Sequence, residues 1–343
     1  MNLKITYGPW GETMEEMVAA AQAAEVAGAE VLWVPELHRS ATISAAAIAA
    51  GTERATVGTA IALAFTRSPM VTALEAMDLD EMAKGRFILG LGSGVQRLNE
   101  LWHNARWGKP VGHMRETVRN IRTFIAQAHT GETIDLPGEF EPMHIRGYER
   151  PFYQSRTEIP IYLGAMGPAM TKLVGEIGDG WISHELCSPK YLEEQLVPWL
   201  KEGMVRAERP LGSVDVVVSA LCAVDSDGSR ARRWAAGTVG FYASVKTYED
   251  FFAFHDLAEE QAKVIEAFRG GIGADYLGDY VPDHMVDVLT VSGTPAEAIE
   301  RIAAYDGTAT TIKITPPTHG LSAEDTRSSQ QQILRMIAEL TGN

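Results

Sequence analysis

Short apolar runs alternate with longer stretches of helical spacing along most of the chain. The runs Lys4–Gly8, Val31–Val34, Thr56–Leu63 and Phe87–Leu91 have strand length. Between them lie Met14–Ala27, closed by Gly28, then Ser40–Ala50, and a segment from Pro69 to near Gly85, each patterned as a helix. Strands that alternate with helices at this pace predict a parallel sheet with crossover helices. The rhythm continues with strands at Ile159–Leu163, Trp181–Ser183, Val214–Val224 and Thr311–Thr315. Helices are predicted at Arg115–Ala128, Ala169–Ile177, Lys190–Arg206, Thr294–Tyr305 and Gln330–Leu340, and a small hairpin within Thr130–Tyr148. Eight strands in this order fit a closed (β/α)8 TIM barrel better than an open sheet, and in that fold the chemistry sits at the C-terminal ends of the strands. Residues Arg230–Val288 read as several helices rich in aromatics. The expectation is a single domain, 1–343, with a mainly helical insertion at about 230–290.

Composition narrows the partners. A length of 343 residues suits a barrel of about 250 residues with insertions. A formal charge of −15 argues against nucleic acid or an anionic membrane as the main partner, since both would repel the chain. A phosphorylated small molecule stays compatible, because backbone N–H groups can hold an anion inside an acidic protein. No secretory pattern opens the chain and no run reaches membrane-spanning length. The two cysteines, Cys187 and Cys222, form no C-x-x-C pair, so the expected compartment is the cytoplasm.

The sharpest local signal is Ile159-Pro-Ile-Tyr-Leu-Gly-Ala-Met-Gly-Pro-Ala-Met170. A strand runs into a turn of small residues, and Pro168 can open a helix because its missing N–H costs nothing there. Gly164, Ala165 and Gly167 either bring backbone N–H groups against an anion at the helix N-terminus or merely permit a tight turn. A second cluster, Gly90-Leu-Gly-Ser-Gly94, fails the G-x-G-x-x-G pattern, with Val95 or Arg97 at the third glycine position. Asn99 beyond it could bond a heterocycle or cap its own loop. Glu36 and His38 follow the second strand, where a carboxylate and an imidazole could serve as acid or base, or could be solvated. No histidine spacing suggests a metal site, no Walker loop occurs, and no G-x-S-x-G elbow suggests acyl transfer.

Four segments in order resemble the bacterial-luciferase-like family, in its branch that uses the deazaflavin coenzyme F420. They are Val57–Leu63 with Arg67-Ser-Pro69; Arg86–Gly94 with Leu98-Asn-Glu100; Gly164–Met170 with Gly175 and Gly178-Asp-Gly-Trp181; and Ser292-Gly-Thr-Pro-Ala-Glu297. The resemblance spans nearly the whole chain and implies a luciferase-type TIM barrel that transfers a hydride between F420 and a small organic substrate. It also implies a non-proline cis peptide at the end of strand three, which maps to Ala60–Ile61. Ring contacts map to Glu36 and Asn99, and the phosphate loop to Gly164, Ala165, Met166 and Gly167. His38 is the candidate proton donor or acceptor with Glu36 beside it, while Trp10 and His184 are candidate pocket walls. Tyr242, Phe251, Phe252 and Phe254 either shape that pocket or pack an ordinary helix. The chain departs from the sugar-phosphate dehydrogenases of that branch. Its histidine comes one residue late at His38, Val95 and Gln96 replace a glutamate, and Ser183–Ser188 has no lysine. A glucose-6-phosphate substrate is therefore disfavoured. The competing readings are an FMN-dependent luciferase-like monooxygenase and a non-catalytic cofactor-binding barrel, and a homodimer is the assembly to test.

Overall fold

The computed structural model describes residues 1–343. Eight strands bear the architecture: β1 (Lys4–Tyr7), β2 (Val31–Val34), β3 (Thr56–Thr59), β4 (Phe87–Gly92), β5 (Ile161–Gly164), β6 (Gly180–Ile182), β7 (Asp215–Leu221) and β8 (Thr311–Thr315). The chain forms two compact units. The first comprises Met1–Glu30, Ser183–Val197 and Val217–Asn343; the second comprises Val31–Ile182 and Pro198–Val216.

In the second unit β2, β3, β4, β5 and β6 pair in that order, all parallel, with Val31 opposite Thr56, Val57 opposite Phe87, Leu89 opposite Ile161 and Tyr162 opposite Gly180. Crossover helices link them, because parallel neighbours cannot be joined by a tight turn. Ser40 caps the helix Ala41–Gly51 and Ser68 caps Pro69–Met82, each by accepting a first-turn N–H. The hairpin Ile134–Leu136 with Met143–Ile145 is the one antiparallel pair. It hangs on the helix Pro110–Gln127, where the Glu116 carboxylate accepts the N–H groups of Glu139, Phe140 and Glu141 at 2.9–3.0 Å.

In the first unit β8 lies between β1 and β7, with Thr6, Lys313 and Ser219 in register across the three. The helix Met14–Val26 follows β1, and a helical region from Gly228 to Leu289 separates β7 from the boxed helix Pro295–Ala303. There Thr294 and Glu297 satisfy each other's backbone N–H groups. Of the insertion's aromatics, Phe251 and Phe252 are buried and Phe254 packs on Tyr191, as an ordinary helix would arrange them.

Several boundaries differ from the sequence expectation, three of them most instructively. The run Thr56–Leu63 is not one strand: it breaks after Thr59 and resumes as Ala62–Leu63 beside Leu91–Gly92. The helix expected from Arg115 starts at Pro110, the position where proline is accommodated. The last helix, expected from Gln330, starts at Ala323 behind the Ser322 cap. Its first two turns bury Thr326, Ser329 and Gln330, polar residues that leave no apolar stripe to read. No helix is long and apolar enough to cross a membrane.

Candidate functional site

The C-terminal ends of β2–β5 gather most of the candidate residues in the second unit. The Ala60–Ile61 bond is cis, at the position the resemblance implies. Ala60 donates its N–H to the Val34 carbonyl (2.8 Å), and the Ile61 carbonyl accepts the N–H of Glu36 (3.1 Å), so the segment is tied to the end of β2. The Ile61 side chain then lies over two glycines. A Cβ on Gly92 would sit 2.7 Å from Ile61 Cγ1, and one on Gly164 would sit 2.9 Å from Ile61 Cγ2. Gly90 meets a stricter limit, since a Cβ there would fall 1.8 Å from the Thr59 carbonyl oxygen. The glycines of β4 and β5 are therefore imposed by the close approach of the β3 segment.

Glu36 turns back onto that same segment. Its Oε2 accepts the Leu63 N–H (2.8 Å) and Arg67 Nη1 (2.9 Å), while Oε1 takes Arg67 Nη2. Burial acts to raise the Glu36 carboxyl, but the Arg67 bonds and the Leu63 N–H outweigh it and hold it below the ordinary carboxylate value. Arg67 also faces Glu75 at 3.5 Å, and burial pushes that second carboxyl up. Both Glu36 oxygens are thus engaged in holding residues 63–67.

Asn99 is fully buried on a π-helical turn, Leu98–Trp102. Its Nδ2 donates to Ser93 O (2.7 Å) and Val95 O (3.0 Å), which fastens the loop after β4, while its Oδ1 is buried with no partner. Gly94, with φ +62°, sits between Leu63 and Asn99. His38, two residues beyond Glu36, is exposed.

Beyond β5 the chain turns through Ala165–Gly167 into the helix Pro168–Ile177. Trp181 Nε1 donates to Ala165 O (3.0 Å) and steadies the turn. Gly167 is the N-cap and offers no side-chain cap, so the N–H groups of Gly167, Ala169 and Met170 find no acceptor in the protein. Gly167 has φ −89°, which any residue adopts, and a Cβ there would meet nothing within 4 Å. Unlike Gly90, Gly92 and Gly164, it is not required by packing; it leaves an open approach to three free N–H groups. A cavity of about 500 Å³ lies at the other end of β5, bordered by Arg122, Ile125, Ile159, Pro160 and Asp179.

Trp10 and His184 belong to the first unit. The Trp10 N–H donates to Gln330 Oε1 (3.1 Å), which also accepts the Tyr7 hydroxyl (2.9 Å). His184 Nδ1 accepts the Leu186 N–H (3.2 Å), and its ring lies against Tyr242 and Tyr248 with centroids at 4.2 and 4.9 Å. Burial pulls the His184 imidazole down to about 4, so it is neutral near pH 7. Glu185 beside it faces Lys313 Nζ and the Tyr242 hydroxyl, both at 3.5 Å.

The roles of Arg67, Glu185 and Lys313 escaped sequence reasoning. Arg67 was visible only as part of a motif. Lys313 did carry a signal, a charge in the middle of the strand run Thr311-Ile-Lys-Ile-Thr315, where it is 4% exposed.

Comparison with known proteins adds three findings. The family model described as luciferase-like monooxygenase matches residues 3–311. A putative coenzyme F420-dependent oxidoreductase of Mycobacterium tuberculosis is 27% identical over 92% of this chain and 94% of its own length, and a 5,10-methylenetetrahydromethanopterin reductase of Methanolobus tindarius is 28% identical over 82% and 84%. The solved structure of the coenzyme F420-dependent tetrahydromethanopterin reductase from Methanopyrus kandleri superposes with a TM-score of 0.82, covering 97% of this chain and 98% of that one at 21% identity. That likeness shows the fold, a (β/α)8 barrel of the luciferase-like type.

Proposed function

Because the chain belongs to the luciferase-like monooxygenase family, we propose that it is an oxidoreductase that binds coenzyme F420 and exchanges a hydride between the deazaflavin and a small organic substrate. The name of one relative that aligns with most of the chain, a putative coenzyme F420-dependent oxidoreductase, supports the cofactor. The observation that carries the reading is the turn at Gly167, where three N–H groups without acceptors face an approach that any side chain would narrow. Such a helix N-terminus favours a phosphate, so the residues present fit the ribityl phosphate of this coenzyme.

When bound, the deazaflavin supplies a hydride-accepting or hydride-donating carbon; the protein's part is to bind, orient and keep water out. We assign Gly164, Ala165, Met166 and Gly167 to the phosphate, and Ala60, Ile61 and Asn99 to the ring, with Asn99 Oδ1 as an acceptor still open. Glu36 holds the Leu63–Arg67 segment, and so positions Ile61. His38, exposed beyond β2, is the group we assign to hold or release the proton that accompanies hydride transfer at the substrate. Two unpaired, buried cysteines, Cys187 and Cys222, support a reducing compartment, the cytoplasm.

Titration of the purified protein with F420 and with FMN, followed by cofactor absorbance and fluorescence, tests the reading. F420 should bind in the micromolar range or tighter and FMN about tenfold more weakly, a gap of about 1.4 kcal/mol. Equal or tighter binding of FMN would overturn the proposal in favour of an FMN-dependent monooxygenase, whose phosphate the same turn could hold.

A further inference from the structure

The first unit contains a polar cluster that the cofactor assignment does not use. Lys313 is 4% exposed on β8, yet its only partner is Glu185 Oε1 at 3.5 Å, a long contact for a group with three donors. Glu185 in turn reaches the Tyr242 hydroxyl only at 3.5 Å. Thr315, two residues along the strand and so on the same face as Lys313, has a buried Oγ1 with no partner. His184 Nδ1 is occupied as an acceptor, which puts the ring proton of the neutral imidazole on Nε2, and Nε2 is buried without a partner. The Tyr248 hydroxyl makes no hydrogen bond, and burial raises it to about 12, so it keeps its proton.

Unsatisfied buried donors are costly, and a cluster of them calls for an explanation. Neighbouring hydroxyls show that the fold can satisfy such groups. Thr6, in register with Lys313, donates to Ile312 O at 2.7 Å, and Ser183 Oγ accepts the Ser219 N–H at 2.7 Å. Single orphans occur elsewhere in the first unit, at Thr238 Oγ1, Gln261 Nε2 and Ser329 Oγ, whereas His184 Nε2 and Thr315 Oγ1 each lie within two residues of a member of the Glu185–Lys313 pair. Its walls, His184, Glu185, Tyr242 and Tyr248, are all partly exposed, and the buried ammonium reaches one of them, Glu185, at 3.5 Å.

We propose that His184, Tyr248 and Lys313 form a hydrogen-bond-donor site for the carbonyl oxygen of a neutral ligand of the ketone or aldehyde class. Charge decides the class. Lys313 and Glu185 cancel, so a carboxylate gains no net attraction and meets Glu185, while an ammonium meets Lys313 and donors it cannot use. A carbonyl oxygen accepts from two or three of these groups at once. Calling that ligand the substrate rests on the oxidoreductase reading; the site itself does not.

The test uses the full-length protein without added cofactor, with its histidines labelled at Cε1 and the His184 resonance assigned by its loss in His184→Gln. Cyclohexanone, cyclohexylammonium and cyclohexanecarboxylate are titrated in turn, and the His184 signal is followed by NMR. Cyclohexanone should shift it saturably, and the two ions should not. Tyr248→Phe, on a partly exposed turn, should weaken cyclohexanone about fivefold, and Lys313→Met about tenfold or more. Absence of a shift up to the solubility limit of the ketone, an equal response to either ion, or unchanged affinity in folded Tyr248→Phe overturns the proposal. A parallel F420 titration keeps the two ideas apart. Failure of F420 binding with an intact ketone response sinks only the cofactor reading, and the reverse result sinks only this site.

Discussion

Replacing Glu36 with Gln probes the brace that holds the cis-containing segment. The substitution keeps the shape but removes the charge that accepts two Arg67 donors and the Leu63 N–H. Breaking a buried ion pair costs about 3–5 kcal/mol, and a bond to a charged group contributes about 1.5–3 kcal/mol. Two features lower the figure here. The side chains are 10% and 20% exposed, so solvent screens them partly, and Glu75 at 3.5 Å retains some hold on Arg67. A loss of about 2–3 kcal/mol at neutral pH is expected. The pH dependence gives the sharper check. The folded carboxyl is held below its ordinary value, so its contribution is present above the unfolded value of about 4.3 and is lost as pH falls through the folded one. Urea denaturation of both proteins from pH 7 downward should show a gap that is widest near neutrality and narrows below about pH 4. A gap absent at pH 7, or one that stays constant into acid, would refute the brace.

Two further substitutions address the assigned site. Gly167→Leu should leave stability unchanged within about 0.5 kcal/mol, since its Cβ meets nothing within 4 Å, yet weaken F420 by about tenfold or more; normal cofactor affinity in the folded variant would place the phosphate elsewhere. His38→Ala should lower kcat by roughly 10²–10⁴-fold with cofactor affinity barely changed; a loss under about fivefold would reduce His38 to a wall residue.

What the sequence alone determined is local. Apolar runs of strand length and capped, proline-led helices specify β1–β8 and most of the crossovers, because period, caps and turn residues act within a few positions. The family resemblance carried by the motifs likewise pointed to the cis bond at Ala60–Ile61 and to the turn at Gly167. Tertiary structure decided which glycines serve packing and which leave space. Gly92 and Gly164 look alike in sequence to Gly167, but only the first two lie under Ile61, which is more than thirty residues away from either. It also decided that Glu36 is bound to Arg67 and that Asn99 spends its donors on its own loop. The same holds for Lys313, whose partner Glu185 is 128 residues away. Charge, donor count and orphaned atoms are properties of pairs brought together by folding, and no window of sequence contains both members.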